Sequence, residues 1–140
     1  MKETGAINRG VEGALSRQGH GDLLMVTDAG FAIPTGVEVI DLSLDENKPM
    51  VVEVLAMLKK HFSVEKMIMS RETSEVSPTL FSDISNAFGE DIPVEIVEHS
   101  RLKEISKTVK AVIRTGDFTA YGNVILVSGA GKRWKVEKPG

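Results

Sequence analysis

Two residues capable of acid–base chemistry flank a short apolar segment near the start of the chain. His20 lies in Gly19-His20-Gly21-Asp22, and Asp28 follows the apolar residues 23–27. Imidazole exchanges protons near neutral pH, and loops at strand ends often carry function. We therefore predict that His20 and Asp28 form a compact acid–base pair. On spacing alone, a helix cap for His20 and an Asx turn for Asp28 remain alternatives.

Two later segments carry groups suited to binding a polar ligand. His99 follows one apolar segment and precedes a polar helical one, where a purely structural bridge is the alternative. In Tyr121-Gly122-Asn123, an extended backbone would place Tyr121 and Asn123 on one face and leave the opposite face free. An aromatic ring beside an amide is a common arrangement for holding a sugar. A strand edge without a ligand is the other interpretation.

Composition excludes several classes of function. The chain has 140 residues, a formal net charge of −3 and no cysteine. The acidic balance argues against nucleic-acid binding, and the lack of cysteine excludes disulfides and thiolate sites. The three histidines have no metal-ligand spacing, so we expect no metal, and we expect no cofactor. No apolar segment approaches the roughly 20 residues of a membrane span, so we expect a cytoplasmic protein with no membrane partner.

Apolar periodicity predicts helices alternating with short strands. The helices are expected at about 7–18, 49–61, 78–88 and 100–107, with Pro49 in the first turn of the second and Ser100 capping the fourth. His20 would then follow the C-terminus of the first helix. The strands are expected at 23–27, 37–42, 64–70, 94–97, 109–114 and 124–127.

This alternation predicts an α/β fold. We expect a single three-layer domain over residues 1–140, with a central, mostly parallel sheet between helices. The orientation of the strands near the chain ends stays open. We predict that the basic segment at the C-terminus forms an extended, solvated tail over 131–140.

Taken in order, these segments resemble the D-ribose pyranase family, which is related to L-fucose mutarotase. The resemblance rests on Gly19-His20-Gly21-Asp22, residues 27–34 (Thr-Asp-Ala-Gly-Phe-Ala-Ile-Pro), residues 40–42, His99 with Lys103, residues 111–116 and residues 121–126. It covers about residues 2–131. The fucose branch tends to carry a histidine where Gly30 stands, so the ribose type is favoured.

The resemblance implies an activity and an assembly. Family members interconvert the pyranose and furanose forms of D-ribose without a cofactor, which supplies furanose for phosphorylation. They form rings stacked as decamers of two pentamers, with sites near subunit boundaries. His20 matches the catalytic acid, and the sugar-binding positions match Asp28, His99, Tyr121, Gly122 and Asn123. Asp22 and Lys103 are expected supporting residues.

The chemistry of these groups fits that activity. Opening a hemiacetal needs a proton delivered to the ring oxygen and one removed from the anomeric hydroxyl, and histidine is suited to this near neutral pH. We expect His20 to donate the proton, favoured by a helix C-terminus and by Asp22 or Asp28. A mutarotase of L-fucose or another monosaccharide, a non-catalytic sugar-binding module and a purely structural ring protein are the alternatives.

Overall fold

The computed structural model describes residues 1–138, so the last two residues of the predicted tail lie outside it. Helices and strands alternate for most of the chain. The strands are β1 (Leu23–Thr27), β2 (Glu38–Asp41), β3 (Val64–Ser70), β4 (Val94–Val97), β5 (Ala111–Arg114) and β6 (Val124–Ser128). The helices are α1 (Arg9–Ser16), α2 (Val51–Lys59), α3 (Arg71–Val76), α4 (Pro78–Ser85) and α5 (His99–Ser106).

The six strands form one mixed sheet in the order β2-β5-β1-β6-β3-β4. β2, β5 and β1 are parallel neighbours, as are β3 and β4. β6 is antiparallel to both β1 and β3 and joins these two groups. The expectation of a mostly parallel sheet is therefore confirmed, and β6 is the exception that sequence left open.

Helices cover both faces of the sheet, which confirms the three-layer architecture. Alternate residues of β1 point to opposite faces, so Leu24 and Val26 join the larger core while Met25 joins the smaller one. The larger core is completed by apolar residues of α1, α2 and α4, and the smaller core by Leu102 and Ile105 of α5.

Two opposite edges of the sheet, each formed by the ends of its strands, matter for the site. Asp28 follows the C-terminal end of β1, on the edge where β6 begins after Asn123. His20 precedes β1, on the opposite edge, where β6 ends and β3 begins. β1 therefore lies between the two residues, and its five residues span roughly 15 Å.

Two helices begin elsewhere than predicted, because partners distant in sequence bind their first N–H groups. α2 begins at Val51 rather than Pro49, and the Val51 N–H donates to the buried Asp117 carboxylate at 2.9 Å. α5 begins at His99, so Ser100 is not its cap. The His99 N–H donates to both carboxylate oxygens of Glu72 at 3.1 and 3.2 Å.

Two further differences concern α1 and α3. α1 ends at Ser16, so His20 lies in a turn four residues beyond it rather than at the helix terminus. α3 (Arg71–Val76) is an additional helix, whose polar sequence offered no apolar periodicity to detect. Ser70 begins it by accepting a hydrogen bond from the Thr73 N–H at 3.1 Å.

The last described residues follow β6. Residues 131–138 are exposed and have neither helix nor strand. Within residues 1–138, no helix combines the length and the apolar character that crossing a membrane requires.

Candidate functional site

A cleft of about 690 Å³ lies at the C-terminal edge of β1 and β5. Open α/β sheets commonly bind ligands outside the carboxyl ends of their strands, at a point where strand order reverses. The cleft is lined by Asp28, residues 29–32, His99, Lys103, Arg114, residues 117–121 and Asn123. It therefore brings together most of the residues that the sequence predicted for the site.

Asp28 is fixed at the floor of this cleft. Its two carboxylate oxygens accept hydrogen bonds from the backbone N–H groups of Gly30 at 3.0 Å and Gly122 at 3.1 Å. Its own N–H donates to the Asn123 side-chain oxygen at 2.9 Å. Burial raises the pKa of the Asp28 carboxyl above its ordinary value, although the backbone hydrogen bonds act in the opposite direction.

The segment that carries Tyr121 is a turn, not the extended strand that we predicted. Tyr121 has a φ of 57°, in the left-handed region that non-glycine residues seldom occupy. Thr73 holds this turn by donating from its hydroxyl to the Tyr121 carbonyl at 2.7 Å, and Ser77 donates to the Ala120 carbonyl at 2.6 Å. Tyr121 and Asn123 thus line the cleft because the turn is anchored to α3, not because they share a strand face.

His99 and Lys103 enter the cleft from α5. They are four residues apart and therefore lie on the same side of the helix. The His99 ring stands edge-on between Tyr121, with ring centroids 5.0 Å apart, and Phe31, at 6.1 Å. Within the described residues its Nδ1 atom is buried without a hydrogen-bond partner, so aromatic packing sets the orientation of the ring.

Arg114 and Asp117 are residues of the cleft that sequence reasoning did not assign. The Arg114 guanidinium donates to the Ala29 carbonyl at 2.8 and 3.2 Å and pairs with Asp41 at 3.1 Å. Asp117 accepts from the Thr119 N–H at 2.9 Å, while its carbonyl accepts from the Ala29 N–H at 2.9 Å. Both immobilise the loop after Asp28. Their position at the end of β5 was the available signal, because strand ends meet at this edge.

His20 does not enter this cleft in the same chain. It lines a second depression at the opposite edge of the sheet, together with Lys59, Phe62, residues 63–65, Phe88 and residues 129–132. Its Nε2 atom lies 2.8 Å from a carboxylate oxygen of Glu65. The prediction of a compact pair between His20 and Asp28 within one chain is therefore wrong, because β1 separates them.

Asp22 has a different partner from the one expected. Its carboxylate pairs with Lys110 at 2.7 Å and accepts the Gly19 N–H at 2.7 Å. These two contacts, Lys110 first, lower the pKa of Asp22. Asp22 therefore braces the turn that carries His20, and the carboxylate beside the imidazole is that of Glu65.

The cleft combines groups suited to a small polyhydroxylated molecule. A desolvated carboxylate, a histidine, a lysine and an aromatic ring edge lie around one opening. Such groups can accept and donate hydrogen bonds to hydroxyls and pack against C–H groups. The Asn123 side-chain oxygen accepts the Asp28 N–H, which orients the amide and leaves its NH₂ group as a donor for a ligand.

This fold and cleft define a small α/β protein with a site for a polar metabolite, and comparison with known proteins places it in a family. The model of the RbsD / FucU transport protein family matches residues 1–131. The chain belongs to this family.

Individual relatives are similar to this chain over almost its whole length. A D-ribose pyranase of Thermotoga petrophila is 38% identical over 132 residues, which cover 92% of this chain and 98% of the relative. The structure of Bacillus subtilis RbsD complexed with D-ribose is 36% identical with a TM-score of 0.90, covering 93% and 98% of the two chains. A fucose mutarotase of Streptococcus pneumoniae bound to L-fucose shares only the fold, with 19% identity and a TM-score of 0.73 over 90% and 95%.

Proposed function

We propose that this protein is a D-ribose pyranase, which interconverts the pyranose and furanose forms of D-ribose without a cofactor. The observation that carries the proposal is the cleft of Asp28, His99, Tyr121 and Asn123 in a chain that is 36% identical to a ribose-bound protein over 93% of its length. Gly30 favours ribose over fucose, because the resemblance associates a histidine at this position with the fucose branch.

The reaction that we propose needs only proton transfer and freedom of rotation. Ring oxygen O5 of the pyranose receives a proton while the anomeric hydroxyl loses one, so the C1–O5 bond breaks and an aldehyde forms. After rotation, the O4 hydroxyl adds to C1 and gives up its proton while the aldehyde oxygen takes one up, which gives the furanose and restores the acid and the base; O5 keeps its proton as a hydroxyl. No electrons are exchanged, so acid–base groups suffice.

The residues have distinct roles in this proposal. His20 is the proton donor. Asp28 accepts a hydrogen bond from a sugar hydroxyl, because both its oxygens are oriented by backbone N–H groups and keep acceptor capacity. His99, Tyr121 and the Asn123 amide hold the remaining hydroxyls, and Gly122 allows the turn to approach Asp28. Lys103 supports the site as a cation at the mouth of the cleft.

We further propose that each site is shared between two copies of the chain. One five-carbon sugar is shorter than β1, which separates His20 from the Asp28 cleft. A second copy can present its His20 edge to the Asp28 edge of the first. The decamer of stacked pentamers that the family resemblance implies would repeat this contact around a ring.

The remaining proposals concern the setting of the activity. Residues 1–140 would form a single catalytic domain, with residues 131–140 as an extended tail. We place the protein in the cytoplasm, because its furanose product is expected to be phosphorylated there.

Saturation-transfer NMR on equilibrated D-ribose tests the function directly. The wild type should speed magnetisation transfer between pyranose and furanose signals, and His20→Ala should lower the catalysed rate at least about 100-fold. His61→Ala is the matched control, since His61 is exposed and lies outside both depressions.

Three results would contradict the proposal. Unchanged exchange with broadened ribose signals would indicate a sugar-binding module. Acceleration of L-fucose but not D-ribose exchange would indicate the other branch of the family. Full activity of His20→Ala would remove His20 as the acid.

A further inference from the structure

We infer that Glu65 is a positioning residue for His20, which holds the Nε2–H of the imidazole and leaves Nδ1 to exchange a proton with the sugar. This inference rests on the proposed function. Sequence alone offered no signal for it, because Glu65 lies 45 residues from His20, on β3.

The contact between the two side chains assigns the ring nitrogens. His20 Nε2 lies 2.8 Å from Glu65 Oε2. An ionised carboxylate can only accept hydrogen bonds, so Nε2 must be the donor. The position of one proton on an imidazole fixes the role of the other nitrogen. Neutral His20 would therefore carry its proton on Nε2, and Nδ1 would be protonated only in the cation that acts as the acid.

An irregularity in β3 places Glu65 where it can do this. In the pairing with β6, Val64 lies opposite Ser128 but Lys66 lies opposite Val127, so Glu65 is the extra residue of a β-bulge. Bulges re-aim side chains and occur often next to active sites. The bulge turns Glu65 toward the His20 turn at the end of the sheet.

The backbone around the bulge fixes both partners. Ser128 connects to the His20 turn through two hydrogen bonds of 2.8 Å, from the Gly21 N–H to its carbonyl and from its own N–H to the Asp22 carbonyl. Gly129 donates to the Ser63 carbonyl at 2.9 Å. A Cβ atom on Gly129 would approach the Glu65 Cβ to 3.0 Å, so this close crossing favours glycine.

No other carboxylate competes for this imidazole in the described part of the depression. The other charged side chains lining it are cationic: Lys59 at the end of α2 and Lys132 in the C-terminal extension. Asp22 is occupied by Lys110 on the far side of the turn. Glu65 is therefore the group that sets the orientation and tautomer of His20.

The exposure of the pair makes it suitable for a functional test. The side chains of His20 and Glu65 are 63% and 45% exposed, and exposed ion pairs contribute little to stability. Glu65→Gln should therefore fold normally. Glu95→Gln is the matched control, because it removes an exposed carboxylate that pairs with the neighbouring Lys66 at 3.2 Å, away from His20.

Two measurements are made on these variants. In the ribose exchange assay, Glu65→Gln should lower kcat about tenfold and leave KM within about twofold. The reason is that the variant disturbs the orientation of the acid but leaves the sugar-binding cleft intact. In ¹⁵N NMR of the neutral imidazole, assigned by comparison with His20→Ala, the wild type should carry the proton on Nε2. Glu65→Gln should shift the His20 signals toward a mixture of tautomers, and Glu95→Gln should match the wild type in both measurements.

The outcomes separate the two proposals. An unchanged kcat in Glu65→Gln, with an active wild type, overturns the role of Glu65 alone. A wild-type tautomer with the proton on Nδ1 overturns the assignment of the nitrogens. A wild type that does not accelerate ribose exchange overturns the proposed function, and with it the catalytic meaning of the pair.

Discussion

At the scale of single residues, Asp28 and His20 have different surroundings, because Asp28 is buried after β1 and His20 is exposed in a turn beside Glu65. Strand-end position identified both, and Asp28 lies in the cleft as expected. The surroundings of His20 could not be read, because its partner Glu65 comes from a bulge in a distant strand. Patterns along the chain report which residues stand at strand ends, but not which side chains meet there.

The raised pKa of Asp28 gives a test of its burial. A carboxyl whose pKa is raised by folding stabilises the folded state below its ordinary pKa, and this contribution disappears as the pH rises through the raised value. We expect the free energy of unfolding of the wild type minus that of Asp28→Asn to fall as the pH rises from about 3.5 to about 7. Urea unfolding at each pH measures this difference.

Asp22 provides a control of opposite sign. Lys110 and the Gly19 N–H lower its pKa, so its stabilising contribution is present above the ordinary value and disappears as the pH falls through the lowered one. The difference between the wild type and Asp22→Asn should therefore rise with pH. A difference for Asp28→Asn that also rises with pH would show that its carboxyl is stabilised, not desolvated, in the folded protein.

At the scale of elements, sequence predicted regular segments well and irregular ones poorly. The bounds predicted for β1 and β3 are confirmed, because β1 is an apolar run and β3 contains one, Met67–Met69, next to a helix or turn signal. The prediction of an extended backbone at Tyr121 was wrong. The residue lies in a turn with a left-handed backbone, which is held by hydrogen bonds from Thr73 of α3 and from Ser77 after it. α3 itself was not predicted. The site therefore depends most on the elements that local patterns describe least.

The turn at Tyr121 makes Gly122 a test of packing in the cleft. A Cβ atom at this buried position would lie 3.0 Å from Leu80 Cδ2, 3.1 Å from the Thr119 carbonyl and 3.5 Å from Asp28 Cβ. Gly122→Ala should lower the free energy of unfolding by about 1–3 kcal/mol. It should also raise KM for ribose, because the turn and Asp28 move apart. Urea unfolding and the exchange assay measure the two effects.

Gly30→Ala is the matched control for Gly122→Ala. Its new Cβ would meet only Asp28 Oδ1, at 3.9 Å, which is an ordinary contact. Stability close to that of the wild type is expected. If both alanine variants behave alike, the close approach of the turn to Asp28 is not what shapes the cleft.

At the scale of the whole molecule, the sheet separates the two groups of residues that we propose to form one site. The Asp28 cleft lies at one edge and the pair of His20 and Glu65 at the other. Sequence predicted the members of the site from the family resemblance, but it could not divide them between edges, because that division follows from strand order. An enzyme that needs both edges for one sugar must bring two copies together, so its activity and its assembly are linked.

Mixed oligomers test this central claim most directly. His20→Ala supplies an intact cleft and His99→Ala supplies an intact His20 edge, so each variant alone should be nearly inactive in ribose exchange. When equal amounts are unfolded and refolded together, about one quarter of the shared sites should receive both intact halves and regain activity. Wild type treated in the same way controls for refolding. Recovery near one quarter of wild-type exchange is the predicted result, and a mixture no more active than its separate components would contradict a site built from two copies.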